Sequence, residues 1–200
     1  MRVGETPGVA TLTGAALGAA LDDLARLRIA VFRDWPYLYD GDMDYERTYL
    51  ARFAAAPGAV LVAARDAGGR IVGAATGAPL AGGDEAFRAP LRTAGFDMET
   101  TFYLAESVLD PAFRGRGLGH AFFDAREAHA RALGMERAAF CAVMRSHDHP
   151  MRPERARDLA PFWRKRGYAP VDGALATFAW TDLGESGESD KRLQFWSRTL

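Results

Sequence analysis

With 200 residues, 48% of them hydrophobic, the chain suits one compact domain with a sizeable core. A formal net charge of -1 leaves no global field to hold nucleic acid or an anionic membrane, so neither is expected as a partner. Cys141 is the only cysteine, which excludes an internal disulfide; no apolar leader opens the sequence and no stretch is long enough to span a bilayer, so a cytoplasmic setting is expected.

Residues 1–8 read as a loose start to a single domain expected over 1–200, and Val9 to Leu12 as a short edge strand. From Ala15 to Phe32 the residues Leu17, Leu21, Leu24, Leu27, Ile29 and Val31 recur at helical spacing. Trp35-Pro36 ends that helix, because proline disfavours α geometry in the residue before it. Asp42 is placed to cap a second helix with Tyr45, Tyr49 and Phe53 on one stripe, closed by Pro57-Gly58. Val60 to Ala64 and Ile71 to Thr76 form a hairpin turned at Asp66-Ala67-Gly68-Gly69. Residues 78–99 read as irregular. A strand follows from Thr101 to Leu109, then a helix with Leu118, Phe122, Ala125, His129 and Ala132 on one face. Arg137 to Val143 is another strand, 145–158 a charged connection, and Leu159 to Arg166 a short helix. Leu175 to Trp180 and Leu193 to Trp196 close the chain as a hairpin. This order predicts an α+β fold, a sheet flanked by helices.

The segment between the Thr101 strand and the helix after it carries the most chemistry. It reads Val108-Leu109-Asp110-Pro111-Ala112-Phe113-Arg114-Gly115-Arg116-Gly117-Leu118-Gly119. Glycines let a backbone take positive φ and approach a ligand closely. A helix N-terminus presents unpaired N–H groups and a positive dipole end to an anion. A triphosphate loop would need G-x-x-x-x-G-K-[ST], and the only lysines are Lys165 and Lys191. A dinucleotide fingerprint would need a third glycine where His120 or Phe122 stands. Arg114, Gly117 and Gly119 instead meet [RQ]-x-x-G-x-[GA].

That pattern resembles the acyl-CoA pyrophosphate loop of the GNAT acetyltransferases. About fifty residues on, Pro161-Phe162-Trp163-Arg164-Lys165-Arg166-Gly167-Tyr168 is similar to the family's F-Y-x-x-x-G-F run, with Trp163 and Tyr168 at its two aromatic positions. The resemblance covers residues 59–180 and, more loosely, the whole chain. It implies the GNAT acyl-CoA N-acyltransferase fold, a mixed and mostly antiparallel sheet flanked by helices. It also implies acetyl-CoA as co-substrate, with no metal. The implied reaction is acetyl transfer to a primary amine of a small molecule, by direct attack in a ternary complex. The alternatives are an acyl-CoA-binding sensor with little turnover, another acyl donor, or a protein acceptor. Pairing between subunits is common in that family and allows a homodimer.

By the same resemblance, the backbone of Arg114, Gly115, Arg116, Gly117, Leu118 and Gly119 holds the pyrophosphate. The main chain at Val108 and Leu109 meets the pantetheine arm, with the Leu109 N–H as oxyanion donor. A protonated amine cannot attack, so a base is needed. Glu106 stands eight residues before Arg114, where relatives carry a carboxylate. Strand alternation puts it on the face of Phe102, Leu104 and Val108, and apolar surroundings make a carboxylate a better base near neutrality. The tyrosine that serves as acid in relatives is Trp163 here, whose indole is no usable acid. Tyr168, Tyr103 and Cys141 are the other candidate donors, and Tyr168 is expected to be catalytic together with Glu106. Tyr37, Tyr39 and Asp40 are expected to bind the acceptor, since acidic and aromatic groups together suit a cationic amine. His147 and His149 lack the companions of a zinc site, and His129 reads as a core histidine with a partner.

Overall fold

The structure, a computed structural model, describes residues 7–200, so most of the expected loose start lies outside the described residues. Strands β1 (Val9–Leu12), β2 (Val60–Arg65), β3 (Ile71–Pro79), β4 (Thr101–Leu109), β5 (Arg137–Val143), β6 (Ala169–Trp180) and β7 (Ser189–Thr199) form one sheet in the order β1-β2-β3-β4-β5-β7-β6. Every neighbouring pair is antiparallel except β4 and β5. The expected α+β architecture with a mixed, mostly antiparallel sheet is therefore present.

Helices cover both faces. On one lie α1 (Gly14–Gly18), α2 (Leu21–Phe32) and α3 (Met43–Ala54); on the other lies α5 (Leu118–Ala132). Strand β2 is buried on both sides, which explains its unbroken apolar run. Leu61 and Ala63 pack with Leu17, Leu24 and Leu50, while Val62 and Ala64 pack with Leu118 and Phe122. Asp42 caps α3 as expected, accepting from the Asp44 and Tyr45 N–H groups at 3.0 and 2.9 Å. The stripe of α3 differs from expectation: Tyr45 is half exposed and Glu46 is fully buried beside Leu50. The first long helix is also broken at Ala19–Ala20, just past the weak helix former Gly18.

The segment expected to be irregular holds a helix, α4 (Glu85–Thr93). Asp84 caps it by accepting from the Ala86 N–H at 2.8 Å. Pro90 inside α4 removes one helical hydrogen bond, and the burial of Leu91 and the packing of Phe87 against Tyr103 and Phe178 offset that loss. The last helix, α6 (Ala160–Lys165), sits where the sequence places it. The final hairpin is longer than its sequence pattern, because Ala169 and Pro170 already pair with β7 before the Gly173 region bulges and pairing resumes at Leu175.

Candidate active site

Two features of β4 shape the site. The first is a splay: β4 and β5 pair only from Thr101↔Arg137 to Tyr103↔Ala139, and beyond that a cleft opens between them. Asp110 donates its N–H to Val72 O at 2.9 Å. Alternation along an antiparallel ladder therefore turns the Val108 N–H toward β3 and the Leu109 N–H into the cleft. Of the two backbone positions expected to meet the pantetheine arm, Leu109 is the one whose N–H is directed there.

The second feature is a β-bulge. Ala75 pairs with Ser107 but Gly77 pairs with Leu104, so Thr76 alone opposes Ala105 and Glu106. The extra residue reverses the alternation. Phe102 and Leu104 lie in the cluster beneath α5 with Phe123, while Ala105 and Glu106 both line a cavity on the α2 face. Glu106 thus leaves the face that simple alternation assigns to it. Buried Arg126 of α5 fills the bulge from behind: its Nη1 donates to Thr76 O and Glu106 O at 3.0 and 3.1 Å, and its Nη2 to Ser107 Oγ at 2.8 Å. Burial pulls its guanidinium down to about 10, still charged at neutral pH. A cation there satisfies carbonyls that the bulge removes from the ladder.

The cavity has a volume of about 110 Å³. Glu106 is 7% exposed and its Oε2 lies 2.9 Å from Arg28 Nη1. Arg28 also donates from Nε and Nη2 to Glu46, whose carboxylate is fully buried. Burial opposes the charge on Arg28, but Glu106 and Glu46 outweigh it and raise its pKa. Glu106 Oε1 is buried and has no hydrogen-bond partner among the described residues. Tyr37 and Tyr39 line the cavity. Asp40 does not: it is exposed, and its carboxylate pairs with Arg33 at 3.3 Å.

The loop that carries Tyr37 and Tyr39 is locked from behind. Arg145 donates to Pro36 O and Tyr37 O at 2.8 and 2.7 Å and makes a two-pronged pair with Asp182. Burial works against the Asp182 carboxylate, but Arg145 and Lys191 hold it below the usual carboxylate range. Sequence reasoning passed over Arg28, Arg126 and Arg145. A signal existed for the first two, since each sits one helical turn from a buried apolar residue: Leu24 and Phe122.

Tyr168 belongs elsewhere. It is 2% exposed and packs on Phe123 and Phe140, and its hydroxyl donates to Glu127 Oε1 at 3.0 Å. Burial and Glu127 raise its pKa, and it is not among the cavity-lining residues. This corrects the catalytic role expected of it: the closing aromatic of the run is a packing residue. Trp163 joins the same cluster, 5.0 Å from Phe140 and 5.1 Å from Trp196. Tyr168→Phe is expected to lower stability by about 1–3 kcal/mol and to leave acetyl transfer per folded molecule unchanged. Thermal melts and a thiol-release assay check both; a hundredfold loss of rate would restore Tyr168 as an acid.

Tyr103 and Cys141 do line the cavity, with the hydroxyl 3.0 Å from Sγ. Burial pushes the Cys141 thiol up to about 12 and raises Tyr37, Tyr49 and Tyr103 as well. In the unfolded chain these groups ionise near about 8.5 for the thiol and about 10 for tyrosine. The stability they contribute is complete below those values and is lost as pH rises through them toward the folded ones. The melting temperature is therefore expected to fall steadily above about pH 9. Melts that stay flat to pH 11 would contradict the burial of these hydroxyls.

At the glycine turn, Gly115 and Gly117 have φ of +78° and +81°, a region that side-chain-bearing residues rarely adopt. No neighbouring atom lies within 4 Å of where a Cβ would sit on either, so it is the backbone conformation, and not crowding, that favours glycine. Gly117 is the N-cap of α5 and provides no side-chain acceptor. The N–H groups of Leu118 and Gly119 in the first turn lack intrahelical partners by helix geometry. Arg114 and Arg116 are exposed at the rim, and Arg114 Nε lies 3.4 Å from Leu109 O. The turn, the Leu109 N–H and the cavity thus follow one another along the end of β4.

His129 bonds Gly58 O at 3.0 Å, the partner expected of a core histidine. The His149 ring lies 5.2 Å from that of Trp35, tilted by 60°. Among the described residues no group of three or more histidine, cysteine or acidic side chains comes together as a metal cage, and no helix is long and apolar enough to cross a membrane.

No curated protein matches the chain by sequence. Solved structures share the fold. An aminoglycoside 6'-N-acetyltransferase complexed with coenzyme A is 16% identical with a TM-score of 0.61, covering 96% of each chain. A ribosomal-protein-alanine N-acetyltransferase from Brucella melitensis is 15% identical with a TM-score of 0.60, covering 96% of this chain and 99% of its own. The yncA protein of Salmonella typhimurium with its cofactor acetyl-CoA is 14% identical with a TM-score of 0.57, covering 96% and 94%. The acetyltransferase (GNAT) family pattern matches residues 24–153, well over half of the sequence, and the chain belongs to that family.

Proposed function

We propose that the protein is an acetyl-CoA-dependent N-acetyltransferase, a single domain that acetylates a primary amine of a small molecule by direct attack in a ternary complex. The observation that carries the reading is the geometry of β4: an open strand edge at Leu109, a glycine turn after it, and a buried carboxylate with a free oxygen before it. These residues fit acetyl-CoA. The turn at 114–119 would hold the pyrophosphate on backbone N–H groups and the positive end of α5, with Arg114 and Arg116 adding charge at the rim. The splayed edge of β4 would take the pantetheine arm. Bound acetyl-CoA supplies an electrophilic thioester carbonyl.

The chain's own residues do the remaining work. Glu106 Oε1 accepts a hydrogen bond from the amine and removes a proton, leaving a lone pair to attack. The Leu109 N–H points into the cleft where negative charge develops on the carbonyl oxygen. Arg28 and the bulge hold Glu106 on the cavity side. Of the other candidate donors, Tyr103 and Cys141 line the same cavity, and Tyr103 is the hydroxyl we assign the acid's part.

Titration calorimetry with acetyl-CoA tests the reading. We expect micromolar binding by the unaltered chain. In Gly117→Val the affinity should fall roughly tenfold to a hundredfold, because a β-branched residue at φ +81° carries strain of about 1–3 kcal/mol. Equal binding by both proteins would move the cofactor site elsewhere. Binding without turnover of any amine would leave an acyl-CoA sensor.

A further inference from the structure

The cavity beside Glu106 constrains what the acceptor can be. Its walls are largely rings, among them Phe32, Tyr37, Tyr49, Phe87, Tyr103 and Trp180. Its volume of about 110 Å³ is of the same order as the about 150 Å³ of an apolar protein cavity that takes up benzene. Space of that size and character admits a short aliphatic or single-ring body. A polyhydroxylated sugar would set most of its hydroxyls against ring faces, with the tyrosine hydroxyls and the Glu106 carboxylate as the groups that could replace its water.

Charge supplies the second constraint. Each of the three nitrogens of Arg28 already faces a carboxylate oxygen: Nε and Nη2 face Glu46, and Nη1 faces Glu106. The guanidinium also lies over the Tyr49 and Phe32 rings at 4.8 and 5.1 Å. Arg28 therefore offers no open fork to a carboxylate on the acceptor. Two carboxylates share one guanidinium, so the cluster carries one negative charge without a counterpart. The unpartnered buried atom, Glu106 Oε1, is where that charge meets the cavity. Ring faces around an ammonium add cation–π attraction, which strengthens when the site is desolvated.

We propose that the acceptor is a compact monoamine, one ammonium on a short aliphatic or single-ring body without a carboxylate, seated with its nitrogen on Glu106 Oε1 and its body among the rings. The proposal rests on the N-acetyltransferase reading above.

Four probes separate the possibilities: benzylamine, benzyl alcohol, phenylglycine (benzylamine with an adjacent carboxylate) and kanamycin. Each is titrated by calorimetry into the full chain, alone and saturated with CoA, and each amine is then assayed for thiol release from acetyl-CoA. Benzylamine is expected to bind at least tenfold more tightly than benzyl alcohol and phenylglycine, and to be the amine acetylated fastest. In Glu106→Gln its affinity should fall at least tenfold while that of acetyl-CoA holds. The comparison of ligands on the unaltered protein stands even if that variant folds poorly. Preference for phenylglycine or kanamycin overturns the compact monoamine and leaves the N-acetyltransferase reading in place. Absence of benzylamine binding in both states also overturns it. If benzylamine binds with the expected preference but no amine releases thiol, the pocket assignment is supported and it is the N-acetyltransferase reading that falls.

Discussion

Glu106→Gln is expected to reduce the rate of acetyl transfer by roughly a hundred- to ten-thousandfold, the range that a positioned general base contributes. Glutamine keeps the shape of the side chain and an acceptor oxygen toward Arg28, so the cavity should persist. Arg28 retains Glu46 as a counter-charge, which keeps the guanidinium neutralised. What is lost is the oxygen that can hold a proton. Acetyl-CoA affinity should not change, because the turn at 114–119 belongs to the start of α5 and makes no contact through this carboxylate. The pH dependence of the rate should change shape along with its magnitude. A pH–rate curve that is unaltered in the variant would remove Glu106 from the chemistry and leave it a partner of Arg28 only.

Arg28→Met is expected to be the most damaging of these substitutions to the fold. Methionine approximates the volume of the arginine stem and packs well in irregular space, so the loss isolates the charge. Glu46 is fully buried and Glu106 is 7% exposed, and without Arg28 the two carboxylates face each other with no cation between them. Removing one partner of a buried ion pair costs about 3–5 kcal/mol. For a chain of 200 residues that corresponds to a melting temperature lower by roughly 6–20 °C. Adding Glu46→Gln to the variant should recover part of the loss, because one of the stranded charges is removed. A change below about 1 kcal/mol would place the cluster in the class of exposed ion pairs and would contradict its burial.

The glycine turn is legible in the amino-acid sequence, and so are most strands and the cap at Asp42. Each of these is a local property. Positive φ at Gly115 and Gly117 depends on the residues themselves, and the cap depends on an acceptor two and three residues from its donors. The hidden helix α4 shows the limit of local reading. Pro90 and the glycines before Asp84 mark a break in the sequence, yet Phe87 and Leu91 find buried partners that hold a helix there. Tyr168 and Asp40 depart from expectation for the same reason, because residue type and position in a motif do not say which partner a side chain will meet. Glu127 takes one and Arg33 the other.

What the sequence determined by itself is the order of the strands, the glycine turn and the presence of an acidic residue on the strand before it, since these follow from spacings of a few residues. Tertiary structure alone decided which way that acid faces. A bulge is a mismatch between two strands, Thr76 against Ala105 and Glu106, and cannot be read from either one. The charge on the site was decided the same way: Arg28, Glu46 and Glu106 come from three elements, and only when the helices close over the sheet do two carboxylates meet one guanidinium in a largely buried place.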